Sequence, residues 1–321
     1  GDYEAGNAGR CRLCSMNTSA LVYQSVGKSY DGVRALDSVN LEIQQGEIFG
    51  LIGPDGAGKT TLIRTAMGII SPDKGSVQLL GGKPSLTRSR AGYVAQSFSL
   101  YTQMTVMENI RLFAALYGGD ARALLSRTEN ILRRTRLWEF RDRYAGALSG
   151  GMKQKLALAS GLVHVPKILF LDEPTTGVDP VARREFWAIL YELNREGLTV
   201  VVSTPYMDEA DLCTRMLFLY RGRVMDQGTG RELLARYPHQ ILEVNLSDRK
   251  IRTAFRNHPS ILDVNLFGTR YHLEVENAEE AIPQIRALLR DKGYNDVEIR
   301  PLAPSLEDLF VSFARKEAAC A

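Results

Sequence analysis

The sequence is short of the features that would place it in a membrane, a fibre or a secreted disulfide scaffold. Its strongest apolar runs, such as residues 168–171 and 199–202, reach only a fraction of the ~20 residues a bilayer-crossing helix needs. The 4 cysteines are too few and too scattered for a disulfide framework and fit a reducing cytosol. Cys11 and Cys14 form a C-x-x-C pair that can seed a metal or redox site, but no second pair, histidine cluster or βαβ pattern accompanies it. Cys213 and Cys320 stand alone and read as packing or surface positions. An excess of one charge is also missing. With 40 Lys and Arg against 37 Asp and Glu, the net charge of +3 lacks the basic footprint of a nucleic-acid binder. No secretory signal is read at the start, so the expectation is a cytoplasmic chain that meets a membrane only through a partner.

What is present is ordinary globular composition, 45% apolar and 24% charged, which excludes a disordered or fibrous chain. A length of 321 residues suggests about two domains at ~150 residues each. No internal repeat of fixed period is found. Residues 1–19, rich in Gly, Ala, Asn and Ser, read as a disordered tail. From there to about Tyr237 the pattern is β-rich, then α/β. Residues 48–52, 168–171 and 199–202 are continuous apolar runs beside helical patterns, the mark of strands buried on both faces of a parallel sheet. Between residues 97 and 165 the strand signal fades into helical patterns at 105–117 and 121–137, so this stretch reads as a helical subdomain. After residue 238 the order becomes β-α-β-β-α-β, the ferredoxin-like split unit, followed by a last helix from Ser305.

Three motifs carry chemistry. Gly53-Pro-Asp55-Gly56-Ala57-Gly58-Lys59-Thr60-Thr61 fits G-x-x-x-x-G-K-[ST] and lies between a buried strand pattern and a helical one. Glycines let backbone N–H groups converge on phosphate oxygens, and the helix N-terminus adds positive charge. Lys59 can reach the β- and γ-phosphates, and the Thr60 hydroxyl can ligate Mg²⁺. The chain is thus expected to bind a nucleoside triphosphate. The second motif is an apolar run that ends in Asp172-Glu173-Pro174. This puts two carboxylates at the C-terminal end of a central strand, where open α/β sheets bind ligands. Asp172 suits Mg²⁺ and its water shell, and Glu173 suits a general base on the attacking water. Third, Ser149-Gly150-Gly151 opens a helix, so its hydroxyl and N–H groups form an anion site.

Leu148-Ser-Gly-Gly-Met-Lys-Gln-Lys155, with the other motifs in order, resembles the signature of ATP-binding-cassette ATPases over residues 20–237. The resemblance implies a P-loop NTPase cassette: a parallel-sheet core with an antiparallel β subdomain and a helical subdomain, followed here by the ferredoxin-like α+β domain at 238–321. It implies that Tyr30 stacks on adenine, against the plainer reading of a strand-end tyrosine that packs. It also implies that Gln96 reaches Mg²⁺ and the transporter, that Asp179 lies in a loop joining two active sites, and that the signature closes on ATP held by a second cassette. Leu100-Tyr-x-x-Met-Thr-Val-Met-Glu-Asn109, Val178-Asp-Pro-Val-x-Arg-Arg-Glu-Phe-Trp187 and Ser305-Leu-Glu-Asp-Leu-Phe310 resemble the daunorubicin-resistance branch of drug exporters. Its implied partners are membrane permease subunits, a second cassette (identical or different) and a periplasmic adaptor, with no nucleic acid. The implied location is the cytoplasmic face of the inner membrane. Soluble cassettes of translation or DNA repair carry two cassettes or a very long insert, and neither is seen.

The pattern breaks at Pro205, where the family usually has a histidine that contacts the γ-phosphate. Proline has neither imidazole nor N–H, so this position donates nothing. Thr204 and Pro205 read instead as N-cap and first residue of a helix, and His164 reads as a surface residue closing the helix before Asp172. The expectation is intact ATP binding with slow hydrolysis, since one aligned donor is worth ~10²–10³-fold. The alternative is a subunit that dimerises on ATP and hydrolyses poorly beside a competent partner. Asp55, where Asn is commoner in the family, reads as surface-pointing. The basic run Arg133, Arg134, Arg136, Arg141 and Arg143 reads as a solvated face or as a contact for anionic lipid or an acidic permease loop.

Overall fold

Strand and helix positions follow the burial pattern closely in the computed structural model, which describes residues 19–97, 100–117 and 121–319. Cys11, Cys14 and Cys320 lie outside these residues, as does nearly all of the expected tail; Ser19 already opens the first strand. In chain order come β1 (Ser19–Tyr30), β2 (Val33–Gln44), β3 (Ile48–Ile52), α1 (Lys59–Ala66), β4 (Lys74–Leu79), α2 (Pro84–Thr87) and β5 (Ala91–Val94). Then follow α3 (Val106–Tyr117), α4 (Ala121–Arg134), α5 (Gly150–Leu162), β6 (Ile168–Asp172), α6 (Pro180–Arg195) and β7 (Thr199–Thr204). Among the described residues no helix is long and apolar enough to cross a membrane.

The chain divides into two compact units, Gly1–Ile48 with Gly58–Ser203, and Phe49–Ala57 with Thr204–Ala321. In the first, β2-β1-β4 form an antiparallel sheet, tied to α1 where the Tyr23 hydroxyl donates to the Leu62 carbonyl at 2.6 Å. Strands β5, β6 and β7 pair in parallel, and every residue of β6 and β7 is buried. That explains why both read as unbroken apolar runs rather than alternating ones. The helical stretch has a core of its own, in which Val106 and Ile110 of α3 meet Leu132 of α4 and Leu156 of α5.

The second unit begins with most of β3, which pairs in parallel with β8 (Arg215–Tyr220); β8 pairs antiparallel with β9 (Arg223–Gly228). Short helices α7 (Met207–Ala210) and α8 (Gly230–Ala235) flank these strands. A four-stranded sheet then forms from β10 (Gln240–Asn245), β11 (Asp263–Phe267), β12 (Arg270–Val275) and β13 (Ile299–Leu302). Helix α9 (Arg252–Arg256) follows β10, and α10 (Ala278–Asp291) follows β12. The strand order β11-β12-β10-β13, antiparallel throughout, is that of the ferredoxin-like split unit. The helix expected over 248–257 is shorter: Asp248 accepts from the Lys250 N–H and caps a 3₁₀ turn, and α9 starts only at Arg252. The last helix, α11 (Leu306–Ala319), packs Phe310 and Phe313 onto Phe218 of β8, with ring centroids 5.6 and 6.1 Å apart. Leu306, Leu309, Ile52 and Met216 complete that apolar cluster.

Candidate active site

The C-terminal ends of β5, β6 and β7 bring the chemistry of the first unit together. β6 delivers Asp172 and Glu173, both buried. Lys59, the first residue of α1 and 4% exposed, places its ammonium 3.0 Å from Glu173 Oε1. Gln96 donates from Nε2 to the other oxygen of Glu173 at 2.7 Å. Thr60 Oγ1 donates to Asp172 Oδ1 at 3.1 Å. Five residues picked from the sequence as catalytic or metal-binding therefore meet in one cluster.

Two members of the cluster carried no sequence signal. The parallel register sets Asp172 opposite Ser203, whose hydroxyl donates to Asp172 Oδ1 at 2.7 Å. The same Oγ accepts the Glu173 N–H at 3.0 Å, and the Ser203 carbonyl accepts it at 3.1 Å. Glu173 has φ +50, a left-handed backbone that a non-glycine residue adopts at a cost. The shared acceptors on Ser203 hold it there. Tyr93 of β5 adds a longer donation from its hydroxyl to Asp172 Oδ2 at 3.4 Å. Burial first, and then the Asp172 charge, push the Tyr93 hydroxyl above its usual range, so it remains a donor at neutral pH.

The phosphate-type loop crosses from the second unit into the first between Ala57 and Gly58. At its start the Gly53 N–H donates to the Thr204 carbonyl, and a Cβ at Gly53 would stand 2.2 Å from the Leu219 carbonyl oxygen, so only glycine fits. Ala57 is buried and its carbonyl accepts from the Gly222 N–H; Gly58, with φ +109, turns the chain into α1. Asp55 and Gly56 are exposed, as expected for Asp55, and Thr61 is half-buried in the first turn of α1.

The remaining sequence candidates lie apart from this cluster. Ser149 is the N-cap of α5 and its hydroxyl accepts the Met152 N–H at 3.4 Å. Gly150 is exposed. Gly151 is buried for a packing reason: a Cβ there would come within 2.5 Å of the Ala182 methyl on α6. Asp179 is exposed and caps α6, accepting from the Val181 and Ala182 N–H groups at 3.0 and 2.9 Å. Tyr30 is 43% exposed at the end of β1, with the Lys28 ammonium 5.5 Å from its ring centre.

Two smaller expectations are corrected. Thr204 remains the last residue of β7, its hydroxyl accepting the Tyr206 N–H at 3.1 Å; the N-cap is Tyr206 and α7 starts at Met207, so Pro205 sits in the bend before the helix. His164 is half-buried rather than on the surface: its Nε2 lies 3.0 Å from the Ala91 carbonyl, and burial lowers its pKa. The arginine run does lie at the surface, with Arg133, Arg136 and Arg143 exposed, and several of its members also rest on aromatic rings. Arg133 and Arg141 both stand 4.7 Å from the Trp138 ring centre, Arg143 stacks on Phe140, and Arg134 pairs with Glu196.

The sequence profile described as "ABC transporter" matches residues 36–176, and the one described as "ATP-binding protein DrrA1-3-like, C-terminal domain" matches residues 228–314. A Nod factor export ATP-binding protein I from Burkholderia pseudomallei is 35% identical over 308 residues, which cover 94% of this chain and 99% of that protein. The chain belongs to the ABC transporter ATP-binding family. A probable multidrug ABC transporter ATP-binding protein, YbhF of Escherichia coli, is 36% identical over 311 residues. That match takes in 92% of this chain but 52% of YbhF, so the chain spans about half the length of that ABC protein. Among solved structures, cbiO1 of Clostridium perfringens, part of the ABC transporter complex cbiONQ, superposes with a TM-score of 0.64 at 29% identity, covering 68% of this chain and 92% of that one. The ABC cassette MJ0796, solved as a dimer in a post-hydrolysis state with ADP and Pi, gives 0.60 at 28% identity, covering 65% and 98%.

Proposed function

We propose that this chain is the ATP-binding and ATP-hydrolysing subunit of a membrane exporter, working through a separate permease and a second cassette, identical or different. The observation that carries the reading is the buried cluster in which Lys59 and Gln96 hold one carboxylate, Glu173, while Thr60 and Ser203 hold the other, Asp172. The names of the relatives support export of drugs or other small molecules. A periplasmic adaptor fits the same arrangement, as does a place on the cytoplasmic face of the inner membrane.

ATP is the substrate, and the donor set fits Mg²⁺: a threonine hydroxyl, an aspartate and an amide oxygen, from Thr60, Asp172 and Gln96, are hard oxygen ligands. When bound, the ion supplies charge neutralisation at the phosphates. Lys59 neutralises Glu173 until a phosphate anion at the loop shares its ammonium. Freeing the Glu173 carboxylate to take a proton from water is therefore linked to substrate entry. Gln96, already on Glu173, fixes the orientation of that carboxylate. The Ser149 hydroxyl and Gly150 face solvent, where a second cassette's ATP can meet them; Asp179 and Tyr30 are equally accessible.

Pro205 sets the rate in this reading rather than the function. Nothing among the relatives supports a subunit that only binds ATP. The test is phosphate release by the full chain with ATP and Mg²⁺. Pro205→His is expected to raise kcat by ~10-fold or more, toward the ~10²–10³-fold value of one aligned donor. Unchanged turnover in both Pro205→His and Glu173→Gln would sink the assignment.

A further inference from the structure

A cavity lies in the first unit, at the opposite end of its parallel strands from Asp172 and Glu173. It measures about 290 Å³ and is lined where α4, the end of α5 and the end of α6 meet. Lys167, just before β6, and Leu198, just before β7, both face it, whereas Asp172 and Glu173 stand at the other end of β6. Five strand residues at ~3.3 Å each separate the two ends by roughly 16 Å, so this is not the ATP site.

Its lining is divided by chemistry. The floor is apolar, with Ile131, Leu162 and Leu193. The rim carries three cations, Arg127, Arg134 and Lys167, against one carboxylate, Glu196. Arg134 already holds that carboxylate, Nη2 to Oε1 at 2.7 Å, and the Glu196 side chain is 62% exposed, so the pair can open without uncovering a buried charge. The guanidinium thus displays the head group that it accepts.

Val165 gives an independent sign. It lines the cavity, is 64% exposed, and has φ +55 immediately before Pro166. Among the described non-glycine residues with positive φ it is the one β-branched residue, and the residue before a proline is further biased away from helical backbone angles. Asn or Asp would hold this turn more easily. An apolar side chain kept at a strained, solvent-facing rim points to an apolar contact made there.

We propose that this cavity binds a small amphipathic carboxylate: an anionic head taken by Arg134 and Lys167, and a short unbranched apolar chain lying against Val165 and the floor. Of the elements that border it, α5, α6 and β6 have Ser149, Asp179 and Asp172 at their far ends. A ligand in the cavity therefore lies at the opposite ends of α5, α6 and β6 from these three residues.

The test is calorimetric titration of the full chain with sodium octanoate, with octanol and octyltrimethylammonium as controls. Octanoate is expected to bind saturably, with both controls at least ~10-fold weaker because they lack the charge that Arg134 and Lys167 recognise. Lys167→Glu, on an exposed side chain, should weaken octanoate by ~10-fold or more. Glu196→Ala should tighten it by ~3-fold by removing the internal competitor, a gain that misfolding does not produce. Val165→Asn should weaken it several-fold while raising the thermal midpoint. Absence of saturable octanoate binding, equal binding of octanol, or no change in both Lys167→Glu and Glu196→Ala would overturn the proposal.

Discussion

Asp172 and Glu173 in the first unit, and Glu243 and Asp308 in the second, are all buried carboxylates, but their surroundings differ in kind. The first pair is held by one ammonium, one amide and a set of hydroxyls. The second pair is held by forks and rings. Glu243 of β10 takes Arg270 from β12 at 3.1 Å and Arg300 from β13 at 2.7 Å. Asp308 of α11 takes His272 Nδ1 at 3.0 Å on one oxygen and the Ser305 N–H and hydroxyl on the other. Burial alone would push both carboxyls up; for Glu243 the two arginines, and for Asp308 His272 and Ser305, more than offset it and hold them below the usual range. Two guanidiniums from neighbouring strands clamp Glu243 from both sides, whereas a lysine is a point charge on a flexible stem. One region is made to exchange partners, the other to keep them.

Substitutions should separate the two regions by readout. The largest effect is expected from Glu173→Gln, which should lower kcat by ~10³-fold, about 4 kcal/mol of barrier, with nucleotide affinity retained. Asp308→Ala should do the reverse: about 2–3 kcal/mol lost in urea unfolding, as His272 and Ser305 lose a buried acceptor, with kcat per folded molecule unchanged. Ser203→Ala should reduce kcat by ~10-fold, since the Glu173 N–H keeps the Ser203 carbonyl but Asp172 loses its shortest donor; Ser203→Thr should restore it. If Ser203→Ala moved only stability, the first region would be as static as the second. Arg270→Ala should cost less than about 1 kcal/mol, because Arg270 is half exposed and Arg300 remains on Glu243.

Acid offers a subtler distinction. Glu243 and Asp308 have folded pKa values below their unfolded ones, near 4.5 and 3.8. Their stabilisation is complete above those values and is lost as pH falls through the lower folded ones. The stability gap between the parent and Asp308→Asn should therefore shrink as pH falls below about 4 in urea titrations.

The strands were the most legible part of the fold. The runs at 48–52 and 168–171 match β3 and β6 to within one residue, because burial on both faces leaves no polar positions to blur the ends. The phosphate-type loop and the paired carboxylates were legible because their spacing is local. Ser203 and Tyr93 were not, since they reach Asp172 only through pairing between strands, and nothing within β5 or β7 records which residue will stand opposite. His164 was missed for the same reason, its carbonyl partner lying 73 positions away. The error at Thr204 was of another kind. A threonine before a proline fits a helix start, but the strand holds Thr204 and its hydroxyl closes a two-residue turn instead.

Helix α11 has a consequence for how such chains can be recombined. The profile of the C-terminal module starts at residue 228 and looks like a cassette that could be lifted off or exchanged. Phe310 and Phe313, however, complete an apolar cluster with Ile52, Met216 and Phe218, three residues upstream of that boundary. A graft cut at the boundary would bare an aromatic-sized face on β8 and invite aggregation. Inheritance of the tail and of the Phe218 surface should therefore travel together, and a chimera needs its junction drawn through side chains rather than along the sequence.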